Sequence, residues 1–327
     1  MYFPSLENTD GLVELTACSD GCFIAGKNGV GCIAATGDGK LELIAQENRT
    51  LCYVKSKMGY PAYYPLYAIC SEKPLKAVVM DLDGTTVRSE EFWIWIIRRT
   101  MCSLTGNSNL DFEDEDIPHV SGHSVSEHLQ YCIQKYCPGK SVEEARAIYY
   151  RYVQEEMEEI MAGRGRKGAF TPAEGVKEFL LTLKSKKIKI GLVTSGLYRK
   201  AFPEILSAFQ TLEMGDPLQF YDCIITAGAP LGKGTVGTLG ELEAKPHPWL
   251  YAEACCVGMG IPFEERDQVC GIEDSGAGVC SVRLAGYHTI GIGGGNILSS
   301  GTQALCNHYC SQGFEQVLRA ILPRMRR

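Results

Sequence analysis

The sequence contains no long apolar run and no concentrated basic segment. No stretch of its 327 residues approaches the roughly 20 apolar residues of a membrane-spanning helix. The N-terminal residues MYFPSLENTDG lack the basic and apolar regions of a secretory signal. The 32 Lys and Arg residues are scattered among 39 Asp and Glu residues, and binding to a phosphate backbone needs a concentrated basic face. We therefore expect a cytoplasmic protein without a nucleic acid or membrane partner.

The 15 cysteines are spread along the chain and odd in number. In a reducing cytoplasm buried thiols behave as small apolar residues. Cys18, Cys22 and Cys32 are the one cluster that could supply soft metal ligands. Their spacing is not that of a C-x2-C zinc site and no nearby histidine completes it, which favours structural cysteines.

Residues 11–56 alternate short β-prone runs with turn residues. The runs are LVELTA, CFIAG, GCIAA, LELIAQ and TLCYVKS, and Asn28-Gly29 between two of them is a strong hairpin signal. The Tyr- and Pro-rich stretch GYPAYYPLY at 59–67 follows. The pattern predicts a small antiparallel β-rich domain over residues 1–74. Two roles stay open for it: packing on the rest of the chain, or binding a ligand or partner through its aromatic residues.

From Lys76 onwards, strands and helices alternate. The predicted strands are 77–80, 187–193, 221–226, 268–272 and 288–292. Helical stretches separate the last four, which predicts an α/β fold with a doubly wound, Rossmann-like parallel sheet. We assign residues 75–87 and 172–327 to this core.

About 100 residues separate the first two strands of the core, far more than one crossover needs. They include helical stretches such as SVEEARAIYYRYVQEEMEEIMAG, where Ser141 and Glu144 form a capping box. The insertion predicts an all-helical cap domain over residues 88–171. We interpret the acidic run FEDEDIP at 112–118 as a solvated loop within it.

Four polar segments follow strands or begin a helix in this layout. They are Asp81-Leu82-Asp83, Thr194-Ser195-Gly196, Lys245-Pro246-His247-Pro248 and Glu273-Asp274-Ser275-Gly276. Carboxylates gathered in one crevice repel one another unless a cation is present, and Mg²⁺ prefers such oxygen ligands. Hydroxyls, backbone amides and the lysine ammonium are donors that suit a phosphate group. Together the segments indicate phosphoryl transfer with Mg²⁺ as cofactor.

The order and content of these segments resemble the haloacid dehalogenase superfamily, specifically its phosphatase-like and beta-phosphoglucomutase-like branch with a helical cap. The motifs are D-x-D-G-T at 81–85, T-S-G at 194–196, K-P-H-P at 245–248 and G-I-E-D-S-G-A-G at 271–278. Each motif alone is weak, but four motifs in order at consistent spacing are specific.

The resemblance implies roles for the motif residues. Asp81 would attack phosphorus and form an aspartyl phosphate, while Asp83 would protonate the leaving oxygen and then activate water. Lys245 would offset negative charge on the nucleophile and the transferring group. The implied phosphate-binding residues are Thr194, Ser195, Lys245 and Leu82. The implied Mg²⁺ ligands are Asp81, Asp83 through its carbonyl oxygen, Asp274 and Glu273.

The cap segment departs from the family pattern. Arg88 reverses a charge that is common at this hinge, and Trp93 and Val125 replace a histidine and an arginine that beta-phosphoglucomutases carry. These replacements favour a phosphatase over a mutase. The candidate substrate contacts are Arg88, Trp93, His123 and His128.

We therefore expect a Mg²⁺-dependent phosphomonoester hydrolase that acts on a small phosphorylated metabolite. A sugar-phosphate mutase of the beta-phosphoglucomutase type is the alternative within the family, and a non-catalytic binding protein is the alternative outside it. The motif G-x-G-x-x-G at Gly232–Gly237 opens no helix with apolar periodicity, so we interpret it as a loop and not as a nucleotide site.

Overall fold

The structure, a computed structural model, describes residues 1–55, 61–69, 73–120, 125–166, 168–226 and 243–325. The chain divides into two compact units. The first contains Met1–Thr86, Ala173–Ala201 and Asp216–Arg327, and the second contains Val87–Pro172 and Phe202–Gly215. The N-terminal β-rich residues therefore share a unit with the α/β core.

An antiparallel sheet of five strands forms the N-terminal part of the first unit, within the described ranges, in the order β1-β2-β3-β4-β5. Its strands are β1 (Val13–Leu15), β2 (Val30–Ala35), β3 (Leu41–Gln46), β4 (Thr50–Val54) and β5 (Ala62–Leu66). Pro65 fits into β5 because this strand lies at the edge of the sheet, where no ladder donor is needed on one side.

The predicted run CFIAG does not form a strand. It contributes only a bridge between Ala17 and Ile24. Gly21 precedes the run and Gly26 ends it, and their φ angles of 75° and 76° turn the chain away from an extended ladder. The prediction of a strand here was wrong because the run itself ends in a turn at Ala25 and Gly26.

A parallel sheet is the centre of the α/β core. The strands that follow β5 are β6 (Ala77–Asp81), β7 (Val87–Arg88), β8 (Thr171–Pro172), β9 (Lys189–Thr194), β10 (Cys223–Thr226), β11 (Val269–Glu273), β12 (His288–Ile292) and β13 (His308–Cys310). Six of them pair in the order β10-β9-β6-β11-β12-β13, and every pairing in this sheet is parallel. The predicted fold class is confirmed.

Helices of very different length accompany the strands. They are α1 (Glu90–Thr105), α2 (Val125–Tyr136), α3 (Val142–Met161), α4 (Val176–Ser185), α5 (Tyr198–Leu212), α6 (Pro217–Phe220), α7 (Trp249–Glu253), α8 (Gly276–Leu284) and α9 (Phe314–Ile321). Ser141 caps α3 as predicted, since its hydroxyl accepts a hydrogen bond from the Glu144 amide. In the described part of the chain, no helix combines the length and the apolar content that crossing a bilayer requires.

One hydrophobic cluster joins the N-terminal sheet to the α/β core. Leu43, Cys52 and Leu66 of the sheet are buried together with Val279 and Leu284 of α8. Burial of apolar side chains is the main favourable contribution to folding. The sheet therefore packs on the helix that directly follows Glu273-Asp274-Ser275.

The second unit contains the acidic run at 112–118, and one of its acids is not solvated. The side chain of Asp116 is fully buried. Hydrogen bonds from Tyr131, Lys135 and Tyr136 offset the energetic cost of burying this carboxylate. The interpretation of the run as a solvated loop was therefore wrong for Asp116.

Candidate active site

The carboxyl ends of three neighbouring strands carry polar side chains. Asp81 is the last residue of the central strand β6, Thr194 ends β9 and Glu273 ends β11. Because parallel strands point the same way, their carboxyl ends lie at one edge of the sheet, where ligands bind in this class of fold. β6 pairs with β9 on one side and with β11 on the other.

Lys245 lies at the centre of this edge. Its ammonium forms an ion pair with Asp81 and a second one with Glu273 at 2.6 Å. The lysine side chain is only 7% exposed. Burial alone would lower the pKa of Lys245, but the attraction of the two carboxylates outweighs it and raises the pKa. The lysine is therefore a fixed positive charge.

The two carboxylates that pair with this ammonium have a third, Asp274, beside them. Asp81, Glu273 and Asp274 are buried, and each offers an oxygen within 4.8 Å of the others. Burial and the charge of Glu273 raise the pKa of Asp81 well above its usual range, and the same two causes raise the pKa of Asp274 to about 7. The cluster has more negative than positive charge.

A divalent cation fits this cluster. Oxygen atoms from three carboxylates are the donor set that a hard cation prefers, and its charge would offset the surplus. Two glycines keep the surroundings of Asp274 open, since a Cβ atom at Gly84 or at Gly295 would collide with it. No other group of three His, Cys, Asp or Glu side chains with this spacing occurs in the described residues, and Cys18, Cys22 and Cys32 do not form one.

The side chain of Asp83 lies in a different environment. The Thr194 hydroxyl lies 3.4 Å from one carboxylate oxygen of Asp83, and the Lys200 ammonium lies 3.6 Å from the other. The Thr194 hydroxyl also accepts a hydrogen bond from the Gly196 amide at 2.9 Å. Asp83 is about one-third exposed, in contrast to the buried Asp81. The two acids therefore have separate partners.

Two supporting residues of the cluster were missed by the sequence analysis. The Tyr251 hydroxyl donates to Glu273 at 2.5 Å, and the Thr85 hydroxyl donates to Asp274 at 3.2 Å. Burial and the charge of Glu273 raise the pKa of Tyr251 well above its usual value. Thr85 is part of the D-x-D-G-T motif and could have been included. An aromatic residue such as Tyr251 in a short apolar helix is typical of a hydrophobic core and gives no separate signal.

The remaining predicted residues lie in several places. Leu82 is fully buried beside Asp81, whereas Ser195 is exposed. The predicted substrate contacts Arg88, Trp93 and His128 belong to the second unit, and His123 lies outside the described residues. The Trp93 ring packs against Phe92 and Phe170. The roles of these residues in binding stay predictions, and Gly232–Gly237 also lies outside the described residues.

Comparison with protein-family models finds a match for part of the chain. Residues 78–226 match a family model described as haloacid dehalogenase-like hydrolase. This stretch includes β6, which ends at Asp81, and β9, which ends at Thr194. The match confirms the resemblance that the motifs indicated and the prediction of a hydrolase-type enzyme. No curated protein matches the chain.

Solved structures show the same fold. A predicted phosphoglycolate phosphatase from Haemophilus somnus 129PT aligns with a TM-score of 0.54 and 18% identity, covering 75% of this chain and 97% of the other. A Thermotoga maritima protein assigned as a beta-phosphoglucomutase aligns at 0.52 and 21%, covering 76% and 99%. A haloacid dehalogenase family hydrolase from Deinococcus radiodurans R1, solved with bound phosphate and sodium, aligns at 0.50 and 21%, covering 77% and 97%.

Proposed function

We propose that the protein is a Mg²⁺-dependent phosphomonoester hydrolase that acts on a small phosphorylated metabolite through an aspartyl phosphate on Asp81. The observation that carries the proposal is the buried group of three carboxylates at the carboxyl edge of the parallel sheet, two of which pair with Lys245. Buried carboxylates with raised pKa values at a ligand-binding edge are typical of functional sites. The phosphate bound to the similar Deinococcus hydrolase agrees with this substrate class.

The first half of the proposed reaction transfers the phosphoryl group to Asp81. A carboxylate oxygen of Asp81 attacks phosphorus, the bond from phosphorus to the leaving oxygen breaks, and Asp83 gives that oxygen a proton. Thr194 and the backbone amides of Leu82 and Ser195 would hold the phosphoryl oxygens. Lys245 contacts Asp81 and would offset the charge of the transferring group.

The second half releases phosphate. Asp83 takes a proton from a water molecule, the water oxygen attacks phosphorus, and the bond from phosphorus to Asp81 breaks. The partial exposure of Asp83 gives water access to this carboxylate. Asp81, Asp274 and Glu273, with the Asp83 carbonyl oxygen, would hold Mg²⁺. The ion would supply the positive charge needed to bring an anionic phosphoryl group next to these carboxylates.

The experiment that tests the proposal is an assay of inorganic phosphate release. The purified protein with Mg²⁺ is expected to hydrolyse an aryl phosphate, and a panel of phosphorylated metabolites then defines the substrate. No phosphate release from any of these compounds would contradict the proposal. A sugar-phosphate mutase would instead convert one sugar phosphate into its isomer without releasing phosphate, so product analysis separates the two activities.

A further inference from the structure

We infer that Tyr64, on the N-terminal sheet, is a positioning residue of the active site. Its hydroxyl holds the loop Lys245–Pro248 and thereby the Lys245 ammonium against Asp81. This inference gives the N-terminal sheet a function in catalysis, and it rests on the proposed hydrolase activity. The contacts on both sides of the loop carry the argument.

Tyr64 contacts the loop directly. The Tyr64 hydroxyl and the Nδ1 atom of His247 are 2.8 Å apart, a hydrogen bond between residues separated by 183 positions. The Tyr64 ring also meets the Trp249 ring edge-on, with 5.8 Å between the centroids. Tyr64 therefore contacts the residues on both sides of Pro248.

The His247 ring depends on this hydrogen bond. His247 is only 2% exposed, and its Nε2 atom has no hydrogen-bond partner among the described residues. Within the described residues, the hydrogen bond to Tyr64 is the one that the His247 ring forms. Loss of a partner from a buried polar group is costly, so removal of the Tyr64 hydroxyl would favour a shift of the ring.

A shift of His247 would move Lys245. The two residues are separated by Pro246 alone, and the His247 amide bonds to the Ala244 carbonyl at 3.1 Å, so the segment from 244 to 247 is one tight turn. The ammonium of Lys245 contacts both Asp81 and Glu273. A displacement of about 1 Å at such a group can lower the rate by about 100-fold.

Strand pairing and a buried cluster hold the part of the N-terminal sheet that carries Tyr64. β5 pairs with β4 along its whole length, from Thr50 with Leu66 to Val54 with Ala62. The sheet shares a buried cluster with α8, and Ser281 of α8 donates its hydroxyl to the His247 carbonyl at 2.5 Å. The loop is thus held from two sides, by Tyr64 and by Ser281.

The neighbouring residue Tyr63 provides a matched control. Its side chain points to the opposite face of β5, where its hydroxyl donates to Asp20 at 2.5 Å and its ring stacks on Tyr53. Tyr63→Phe removes the same hydroxyl from the same strand without touching the loop. Both substitutions keep the ring, so each variant is expected to fold.

The first measurement compares kcat and KM of Tyr64→Phe, Tyr63→Phe and wild type on an aryl phosphate with Mg²⁺. We expect kcat of Tyr64→Phe to fall about 10-fold with little change in KM, because the contacts of Lys245 matter most in the transition state. Tyr63→Phe should match wild type. An unchanged kcat in Tyr64→Phe, or an equal loss in both variants, would overturn the inference.

The second measurement needs no enzymatic activity. Crystal structures of wild type, Tyr64→Phe and Tyr63→Phe report the position of the Lys245 ammonium directly. We expect this ammonium to shift by about 1 Å in Tyr64→Phe and to keep its position in Tyr63→Phe. An unshifted Lys245 in Tyr64→Phe would refute the inference even if kcat falls. If the wild type hydrolyses no phosphate ester, the proposed function fails, while the structures still decide whether Tyr64 positions the lysine.

Discussion

Each unit contains a buried acidic cluster, with one buried carboxylate in the second unit and three in the first, and the pKa shifts of the two clusters have opposite directions. In the second unit, Asp116 accepts hydrogen bonds from Lys135 at 2.8 Å, from Tyr131 at 2.7 Å, from the Glu113 amide at 2.9 Å and from Tyr136. Burial favours the neutral acid, but these hydrogen bonds outweigh it and lower the pKa of Asp116 below its usual range. One carboxylate here has donors for both of its oxygens.

The cluster in the first unit has the opposite balance. Lys245 pairs with Asp81 and Glu273 but not with the neighbouring Asp274, and the pKa of Asp81 and of Asp274 is raised. A buried carboxylate with enough positive charge and hydrogen-bond donors around it stabilises the fold. Where carboxylates outnumber the cations, they repel one another, and binding of a further cation becomes favourable. The comparison therefore distinguishes a structural acid from the acids of a candidate active site.

The largest expected effect is on catalysis. Asp81→Asn should lower the hydrolysis of an aryl phosphate by at least about 1,000-fold, because an amide cannot act as the nucleophile. The same change in the other cluster, Asp116→Asn, should leave kcat per folded molecule near that of wild type. Steady-state kinetics on both variants make the measurement, with circular dichroism to confirm folding. Substantial turnover by Asp81→Asn would refute the assigned nucleophile.

Metal removal should affect the cluster of Asp81, Glu273 and Asp274 and leave the cluster around Asp116 unchanged. We expect EDTA to abolish activity and Mg²⁺ to restore it. Mg²⁺ should also raise the melting temperature of wild type, since a cation at 100 times its Kd adds about 2.7 kcal/mol to the free energy of unfolding. The measurement is thermal unfolding with and without Mg²⁺. Asp116→Asn should keep the full shift and Asp274→Asn should lose most of it; activity that survives chelation would contradict the metal site.

Substitution in the cluster around Asp116 should change the free energy of unfolding more than substitution elsewhere in the acidic run. Asp116→Asn should lower the free energy of unfolding by about 2 kcal/mol, because hydrogen bonds to a charged acceptor are lost. Urea denaturation measures the change. Asp114→Asn in the same acidic run is the control, since Asp114 is exposed and should change stability by less than about 0.5 kcal/mol. Equal effects of the two changes would mean that the run is uniformly solvated.

The contribution of Asp116 should also depend on pH. Because its pKa in the folded protein lies below the ordinary value, the unfolded chain binds more protons as the pH falls through about 4. The stability that Asp116 provides is therefore complete at neutral pH and is lost in acid. We expect the difference between wild type and Asp116→Asn to shrink below pH 4 in urea titrations. A difference independent of pH would contradict this.

The smallest expected effect is an increase in the free energy of unfolding, opposite to the decrease expected for Asp116→Asn. In protein freed of metal by EDTA, Asp274→Asn removes one of three mutually repelling carboxylates, and an asparagine oxygen can still accept the Thr85 hydroxyl. We expect the free energy of unfolding to rise by about 1 kcal/mol, measured with urea at neutral pH. A loss of stability as large as that of Asp116→Asn would show that the two clusters do not differ in charge balance.

Local pattern predicted much of the fold and part of the site. The strand at His288–Ile292 has the predicted bounds, and the motif acids follow strands as expected. The short strand β13 was not predicted, since three residues such as His308–Cys310 have no readable period. The acidic run misled for a different reason: burial of Asp116 depends on donors from α2, which its own neighbourhood does not reveal.

The sequence by itself determined which reactive groups exist and that they follow parallel strands, because hydrophobic periodicity and turn residues are local properties. Only the tertiary structure decided that Asp116 is surrounded by hydrogen-bond donors and that Asp81, Glu273 and Asp274 lie close together with a single ammonium. It also decided that Tyr251 supports Glu273 and that Tyr64 holds His247. These contacts join side chains far apart in the chain, and their energies depend on burial and distance, neither of which the order of residues states.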